Sequence, residues 1–195
     1  MIYFTSDLHL GHANAIGFTN RPFADVAEMN EAMINNINDT VSVKDQLWIL
    51  GDFAYRIRPE EACALRDRIR CRHVHLVLGN HDNRNSKHYA DGVFESVQHY
   101  KELKTEYGRF ILFHYPISEW NAAYYGSVHL HGHIHSTGNY NAENLKKKFM
   151  PPCPAEHAPQ TDIALRIYDV GVDANGFRPV SLQRLAELMQ LQPDN

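Results

Sequence analysis

The stretch "HLHGHIH", residues 129–135, places histidines at four alternate positions: His129, His131, His133 and His135. On one continuous strand all four imidazoles would face the same side, because strand side chains alternate with period two. A single extended segment cannot wrap four ligands around one ion. The run must therefore divide in its duties, with Gly132 as the natural break, and further ligands must come from elsewhere in the chain.

Outward from this run, strands alternate with helices. "MIYFTSD" (1–7) is β-branched and aromatic without helical period and reads as a strand. Asp25, with Glu28 three residues on, marks a helix start, which Val26, Met29, Met33 and Ile37 continue at helical spacing. "DQLWILGD" (45–52) reads as a buried strand. "RPEEACALRDRIR" (58–70) reads as a helix with Pro59 in its first turn, and "HVHLVLGN" (73–80) as another strand. "SVQHYKELKTEYGRFILFHY" (96–115) reads as a hairpin turning near Gly108, and "SVHLHGH" (127–133) as a further strand. "YDVGVDANGF" (168–177) is a strand entering an Asn-Gly turn, and Ser181 opens a closing helix. Residues 136–160 differ. "NLKKKF" and the proline-rich "PPCPAEHAP" read as an irregular surface loop, or as a flap meeting substrate through Lys146 to Lys148. No internal repeat breaks the chain, so residues 1–195 are expected to form one domain, an α/β or α+β sandwich.

Composition bounds the function. Hydrophobic residues at 44% and charged residues at 22% describe an ordinary globular chain. No apolar run approaches the ~18 residues of a membrane helix, and no signal peptide is expected. The formal net charge of −4 opposes tight non-specific nucleic-acid binding, unless bound cations offset the acidic residues. Cys63, Cys71 and Cys153 form no C-x-x-C pair and suit a reducing cytoplasm. The 13 histidines are the compositional oddity.

Their positions are not random. Asp7 and His9 end the first strand, and Asp52 the next. Asn80, His81 and Asp82 end a third, His114 a fourth, and His133 and His135 follow a fifth. In open α/β sheets, ligands collect outside the carboxyl ends of strands. Two divalent ions ~3.5–4 Å apart need a bridging carboxylate and neutral imidazoles around it. Asp7-Leu8-His9 and His133-Ile134-His135 each place two ligands on one face if the strand period persists. Gly51, Gly79 and Gly132 precede ligands and are expected to let the backbone turn sharply. Nitrogen and oxygen donors without thiolate suit Mn²⁺, Fe or Zn²⁺.

The ordered set "DLH" (7–9), "GD" (51–52), "GNHD" (79–82), the lone His114 and "GHIH" (132–135) resembles the signature of the calcineurin-like metallophosphoesterase superfamily. The opening "NRPF" after "GH" and the closing "VGVDANGFRPVSL" are similar to its small, single-domain bacterial and phage members. The resemblance implies a four-layer α-β-β-α sandwich, with two mixed sheets flanked by helices and the metal site at strand carboxyl ends. It implies two divalent ions, Mn²⁺ first, with Fe, Zn²⁺ or Ni²⁺ as alternatives. Asp7, His9, Asp52 and His135 would hold one, and Asp52, Asn80, His114 and His133 the other. A metal-bridging hydroxide would attack phosphorus while His81 acts as general acid. Asp82 would either orient His81 or cap the following turn. His133 and His135 would thus serve different metals. His129 would only pack, and His131, aimed at the site by parity, would support a ligand without coordinating.

One position departs from the pattern. Protein phosphatases of the superfamily extend the second motif as G-D-x-x-D-R-G, whereas this chain reads "GDFAYRI", with Tyr55 in place of the acid that pairs with the catalytic histidine. Arg56 matches the arginine of that motif, and Arg21 and Arg84 are further candidate phosphate contacts. His12 sits near the first motif and is a candidate to face the site. Tyr115, Trp120, Tyr124 and Tyr125 form an aromatic group after His114, able to stack a base or to pack. The expected substrate is a small, nucleotide-like phosphomonoester or phosphodiester. The alternatives are a nuclease acting on DNA or RNA ends, with nucleic acid as substrate only, and a non-catalytic, metal-poor scaffold. No membrane partner is expected.

Overall fold

The apolar runs of the first half are nearly continuous because their strands are covered on both faces, the habit of parallel sheets. The computed structural model describes residues 1–83, 85–149 and 164–193. Its first sheet contains β1 (Ile2–Thr5), β2 (Gln46–Ile49), β3 (His73–Val77), β4 (Ser96–Gln98) and β9 (Val180–Ser181), in the order β4-β3-β2-β1-β9. β1 to β4 are parallel, Tyr3 standing opposite Leu47, and β9 is antiparallel. Between these strands lie α1 (Ala13–Phe18), α2 (Val26–Thr40), α3 (Pro59–Asp67) and α4 (Ser86–His88), which runs on as a wider turn through Val93. Asp25 caps α2 by accepting from the Glu28 N–H at 2.9 Å, as expected. Glu28 reaches back one residue further than a capping box requires, to the N–H of Ala24.

Strand alternation sorts the core into two clusters. Tyr3, Leu47, Ile49, Val74 and Leu76 face Met29, Met33 and Ile37 of α2. Phe4, Trp48 and Val77 face the second sheet. That sheet is β5-β6-β7-β8: β5 (Tyr100–Thr105), β6 (Gly108–Phe113), β7 (Val128–His131) and β8 (Ile167–Asp169). Phe110, Leu112, Val128 and Leu130 meet the first sheet across the interface, joined by Leu182, Leu185 and Met189 of α6 (Leu182–Met189). Phe4 and Phe110 stack at 6.2 Å. Fully buried side chains of this kind contribute about 1.5–3 kcal/mol each. On the outer face, Ile111 and Ile167 pack with Trp120, Ala123 and Phe149. The result is two mixed sheets flanked by helices.

Three local expectations are corrected. The hairpin begins at Tyr100; Ser96–Gln98 instead pairs with β3, and the chain changes sheets at His99, which no periodic pattern marks. Residues 136–149 are not irregular throughout. They contain α5 (Tyr140–Asn144), and Asn141 clamps β8 by exchanging two hydrogen bonds with the Asp169 backbone. Residues 150–160 of the expected flap, and Cys153, lie outside the described residues. α1 was not foreseen, because six residues carry too little periodicity to register. Among the described residues, no helix is long and apolar enough to cross a membrane.

Candidate metal centre

Five of the seven expected ligands sit on strained backbone just past the strands, not on the strands themselves. Asp7, His9, Asp52, His133 and His135 all have φ between 47° and 71°, the left-handed region. Non-glycine residues there cost on the order of 1–3 kcal/mol and persist only where surrounding structure over-determines them. Asp and His tolerate that region better than most residues. The surrounding structure here is a ladder: Asp7 N–H donates to Gly51 O, His9 N–H to Asp52 O, Leu10 N–H to Phe53 O and Tyr55 N–H to Leu10 O. Left-handed turns at i and i+2 therefore bring each ligand pair together. This corrects the reasoning from strand parity.

The glycines are corrected likewise. Gly51 does turn through φ +98°, and a Cβ there would strike the His114 ring. Gly79 and Gly132 have ordinary φ. They are glycine because a Cβ would collide with the Asp52 carboxylate or with Ser6 Oγ and Asp7 Oδ2 respectively. The ligand loops approach too closely for any side chain.

Asp52 is the centre of the donor set. Its Oδ2 lies 3.6 Å from Nε2 of both His9 and His114, and 3.8 Å from Nε2 of His81. Its Oδ1 accepts from the His81 N–H. Asp7 Oδ1 lies 3.8 Å from His135 Nε2 and 4.0 Å from His9 Nε2. His9 and His135 approach to 3.1 Å, and Asn80 Oδ1 stands 3.0 Å from His114 Nε2. Among the described residues, three groups are close enough to hold an ion: Asp7 with His9 and His135, His9 with Asp52 and His81, and Asp7 with Asp52 and His114. His133 stands just outside them, its ring 5.1 Å from His114 and its N–H on Asp7 Oδ2. His81, expected as a proton donor, falls inside one.

The donors fit divalent cations on two counts. Asp7 Oδ1 is fully buried without a hydrogen-bond partner, a costly condition unless something positive faces it. Two of the histidine rings, His114 and His135, are also fixed through Nδ1, which leaves Nε2 for the site. His114 Nδ1 lies 2.8 Å from the Leu50 carbonyl oxygen, which can only accept, so Nδ1 carries the proton. His135 Nδ1 lies 2.7 Å from Asp173 Oδ2. Asp173 is held in turn by Arg21, at 2.9 and 2.8 Å from its two oxygens.

Asp173 is the residue the sequence reading missed. It lies four residues past the end of β8, in the short turn Val172–Ala174, where no local pattern singles it out. Arg21, expected at substrate, is instead buried; it donates to the backbone oxygens of Leu8 and Asp7 as well as to Asp173 and cannot reach solvent. Asp82 does not touch His81. Its oxygens accept from the N–H groups of Gly79, Asp52 and Phe53, which makes it a brace for two ligand loops. His131 faces away from the site, its Nδ1 on Gly132 O and its Nε2 beside Tyr140 Oη. Of the aromatic group, Tyr115 lies on His114 and His133, while Trp120 is core and Tyr125 is solvent-exposed. His12 does reach the site, with Nδ1 3.3 Å from His9 Nδ1. Arg56 is exposed above Tyr55, and Arg84 lies outside the described residues.

Electrostatics agree with a cation site. Burial, then the neighbouring His135 and Arg21, drive the His9 pKa down to about 2, so the ring is a neutral ligand. Burial also lowers His114 and His133. Burial pushes Asp7 up to about 7, against the pull of His135, and a cation at its orphaned oxygen would restore the carboxylate. Burial opposes charge on Asp173, but hydrogen bonds from His135 and Arg21 outweigh it and bring the pKa to about 2.

Residues 1–166 match the family model of calcineurin-like phosphoesterases, and the chain belongs to that family. It is 28% identical over 193 residues to an uncharacterized protein of Methanocaldococcus jannaschii, covering 97% of this chain and 91% of that protein. It is 31% identical over 163 residues to the gene 66 protein of Mycobacterium phage L5, covering 69% of this chain and 77% of the phage protein. A crystal structure of a protein of unknown function from Aquifex aeolicus superposes with a TM-score of 0.68, at 22% identity, over 96% of this chain and 98% of that one, and so shares the fold.

Proposed function

We propose that the chain is a dinuclear metal-dependent phosphoesterase hydrolysing phosphodiester or phosphomonoester bonds of small, nucleotide-like substrates. The observation that carries this reading is Asp52, whose Oδ2 stands equally, at 3.6 Å, from His9 and His114 and can serve both halves of the donor set. Asp7, His9, Asp52 and His135 would hold one cation, and Asp52, Asn80, His114 and His133 the other. When bound, two such cations lower the pKa of water and offset charge on phosphate. The nitrogen and oxygen donors suit Mn²⁺ first. His81, half-buried beside Asp52, would give its proton to the departing oxygen as the P–O bond breaks. Asp82 holds the loop that carries it, and Arg56, exposed above Tyr55, would meet phosphate. Residues 1–195 would act as one domain, and the free thiols of Cys63 and Cys71 suit the cytoplasm.

The test is a panel of monoesters, linear diesters and cyclic nucleotides with metal-stripped protein reloaded with defined ions. Turnover restored by Mn²⁺ or a similar ion supports the reading; none with any divalent ion favours a non-catalytic scaffold. A nuclease acting on DNA or RNA ends is the second reading, favoured by Asn80 and Arg56, whose exposure leaves room for a longer chain.

A further inference from the structure

Four rings run in series from the proton donor to solvent. His81 meets Tyr55 at 4.6 Å and 86°, Tyr55 lies against His12 at 3.8 Å, and His12 meets Phe18 at 6.3 Å and 73°. The backbone holds the series together. Leu10 and Ala54 form a parallel bridge and Tyr55 N–H donates to Leu10 O, so the loops after β1 and β2 make one surface. Phe18, at the end of α1, is 78% exposed and packs into none of the three core clusters among the described residues. Arg56, itself in the left-handed region, sets its guanidinium 5.1 Å over the Tyr55 ring. Half-buried rings leading to one exposed ring beside a cation, continuous with a phosphate-handling centre, are suited to a planar group tethered to phosphate.

We propose that Phe18, Tyr55 and Arg56, with His12, form the subsite for the nucleobase of the departing nucleoside in a phosphodiester. This rests on the phosphoesterase reading above and gives that reading a direction: His81 marks the leaving side, so the wall continuous with it holds what leaves. The base stacks on Phe18 and Tyr55, and Arg56 meets the phosphate it is tethered to. Water, giving up one proton to solvent, supplies the new P–O bond; the bond to the departing oxygen breaks, and that oxygen takes the His81 proton, leaves as the nucleoside hydroxyl, and His81 is reprotonated from solvent.

The test compares a dinucleotide carrying a base on its departing side with its abasic counterpart, using the full chain loaded with Mn²⁺. The ratio of the two kcat/KM values falls about tenfold in Phe18→Ala. It is unchanged in Tyr125→Ala, an exposed ring that makes no part of this series. An unaltered ratio in Phe18→Ala overturns the subsite. Phe18→Trp adds a binding readout on metal-free protein: the base-bearing dinucleotide quenches the added emission more than the abasic one, and equal quenching overturns the proposal. If the wild-type protein turns over no phosphoester, the phosphoesterase reading fails by itself, and quenching still decides the base site.

Discussion

His129 and His131 lie before Gly132, His133 and His135 after it, and the two pairs share residue type and spacing but not conformation. The first pair is on regular β7, fully buried on the outer face of the second sheet. Its ring nitrogens are taken up by protein: the neutral His129 ring donates from Nδ1 to the Ile111 carbonyl oxygen and accepts at Nε2 from the Ile117 N–H, and His131 meets Gly132 O and Tyr140 Oη. The second pair is on left-handed backbone and partly exposed. His135 has only Nδ1 engaged by a protein brace, and Nε2 faces Asp7 and His9. A histidine becomes available for a metal when its backbone leaves the strand and one nitrogen stays uncommitted.

The strongest test of that contrast removes Asp52, the carboxylate set between His9 and His114 at the centre of the donor set. Asp52→Asn is expected to lose both ions and at least about 10³-fold in kcat/KM, checked by elemental analysis beside kinetics. Retention of both metals would break the assignment of Asp52 as the shared ligand. His81→Ala comes next, slowing turnover by roughly 10²–10⁴-fold while metal content holds. Loss of metal would instead make His81 a ligand, as its closeness to Asp52 allows. Asp173→Asn is expected to weaken metal affinity or activity by about 10–100-fold, through a less firmly oriented His135. A titration calorimetry experiment on the apo-protein measures this directly, and unaltered affinity would reduce Asp173 to a fold-stabilising ion pair.

The smallest effect on the centre is predicted for the packing pair. His129→Leu should leave metal content unchanged and act on stability alone. Burial lowers the His129 pKa to about 4. The unfolded chain, with an ordinary value near 6.5, then binds more protons between these limits. Stability from the neutral ring is complete above about pH 6.5 and falls by up to about 3 kcal/mol as pH drops toward 4. Urea unfolding at several pH values should show a shallower acid loss in His129→Leu than in wild type; parallel curves would refute the buried, neutral assignment.

Much of the candidate site was legible because each candidate ligand lies in a short contiguous motif at a strand end, where type and order suffice. Asp7, His9, Asp52, Asn80, His81 and His114 could be picked out this way, and the structure brings them together. The braces could not. Arg21 and Asp173 are 152 positions apart, and nothing local in either segment reveals that they meet behind His135. Arg21 and Asp82 look like functional charges in sequence. Burial and backbone hydrogen bonds make them structural.

By itself, then, the sequence determined the strand and helix alternation, the β7 boundary at the glycine, and the inventory of donors, because propensity, periodicity and motif order are local properties. Only the tertiary structure decided which donors are presented. Left-handed turns, the sheet change at His99 and the Arg21–Asp173–His135 brace arise from contacts between distant segments. Those contacts decide which histidine nitrogens remain uncommitted on either side of Gly132.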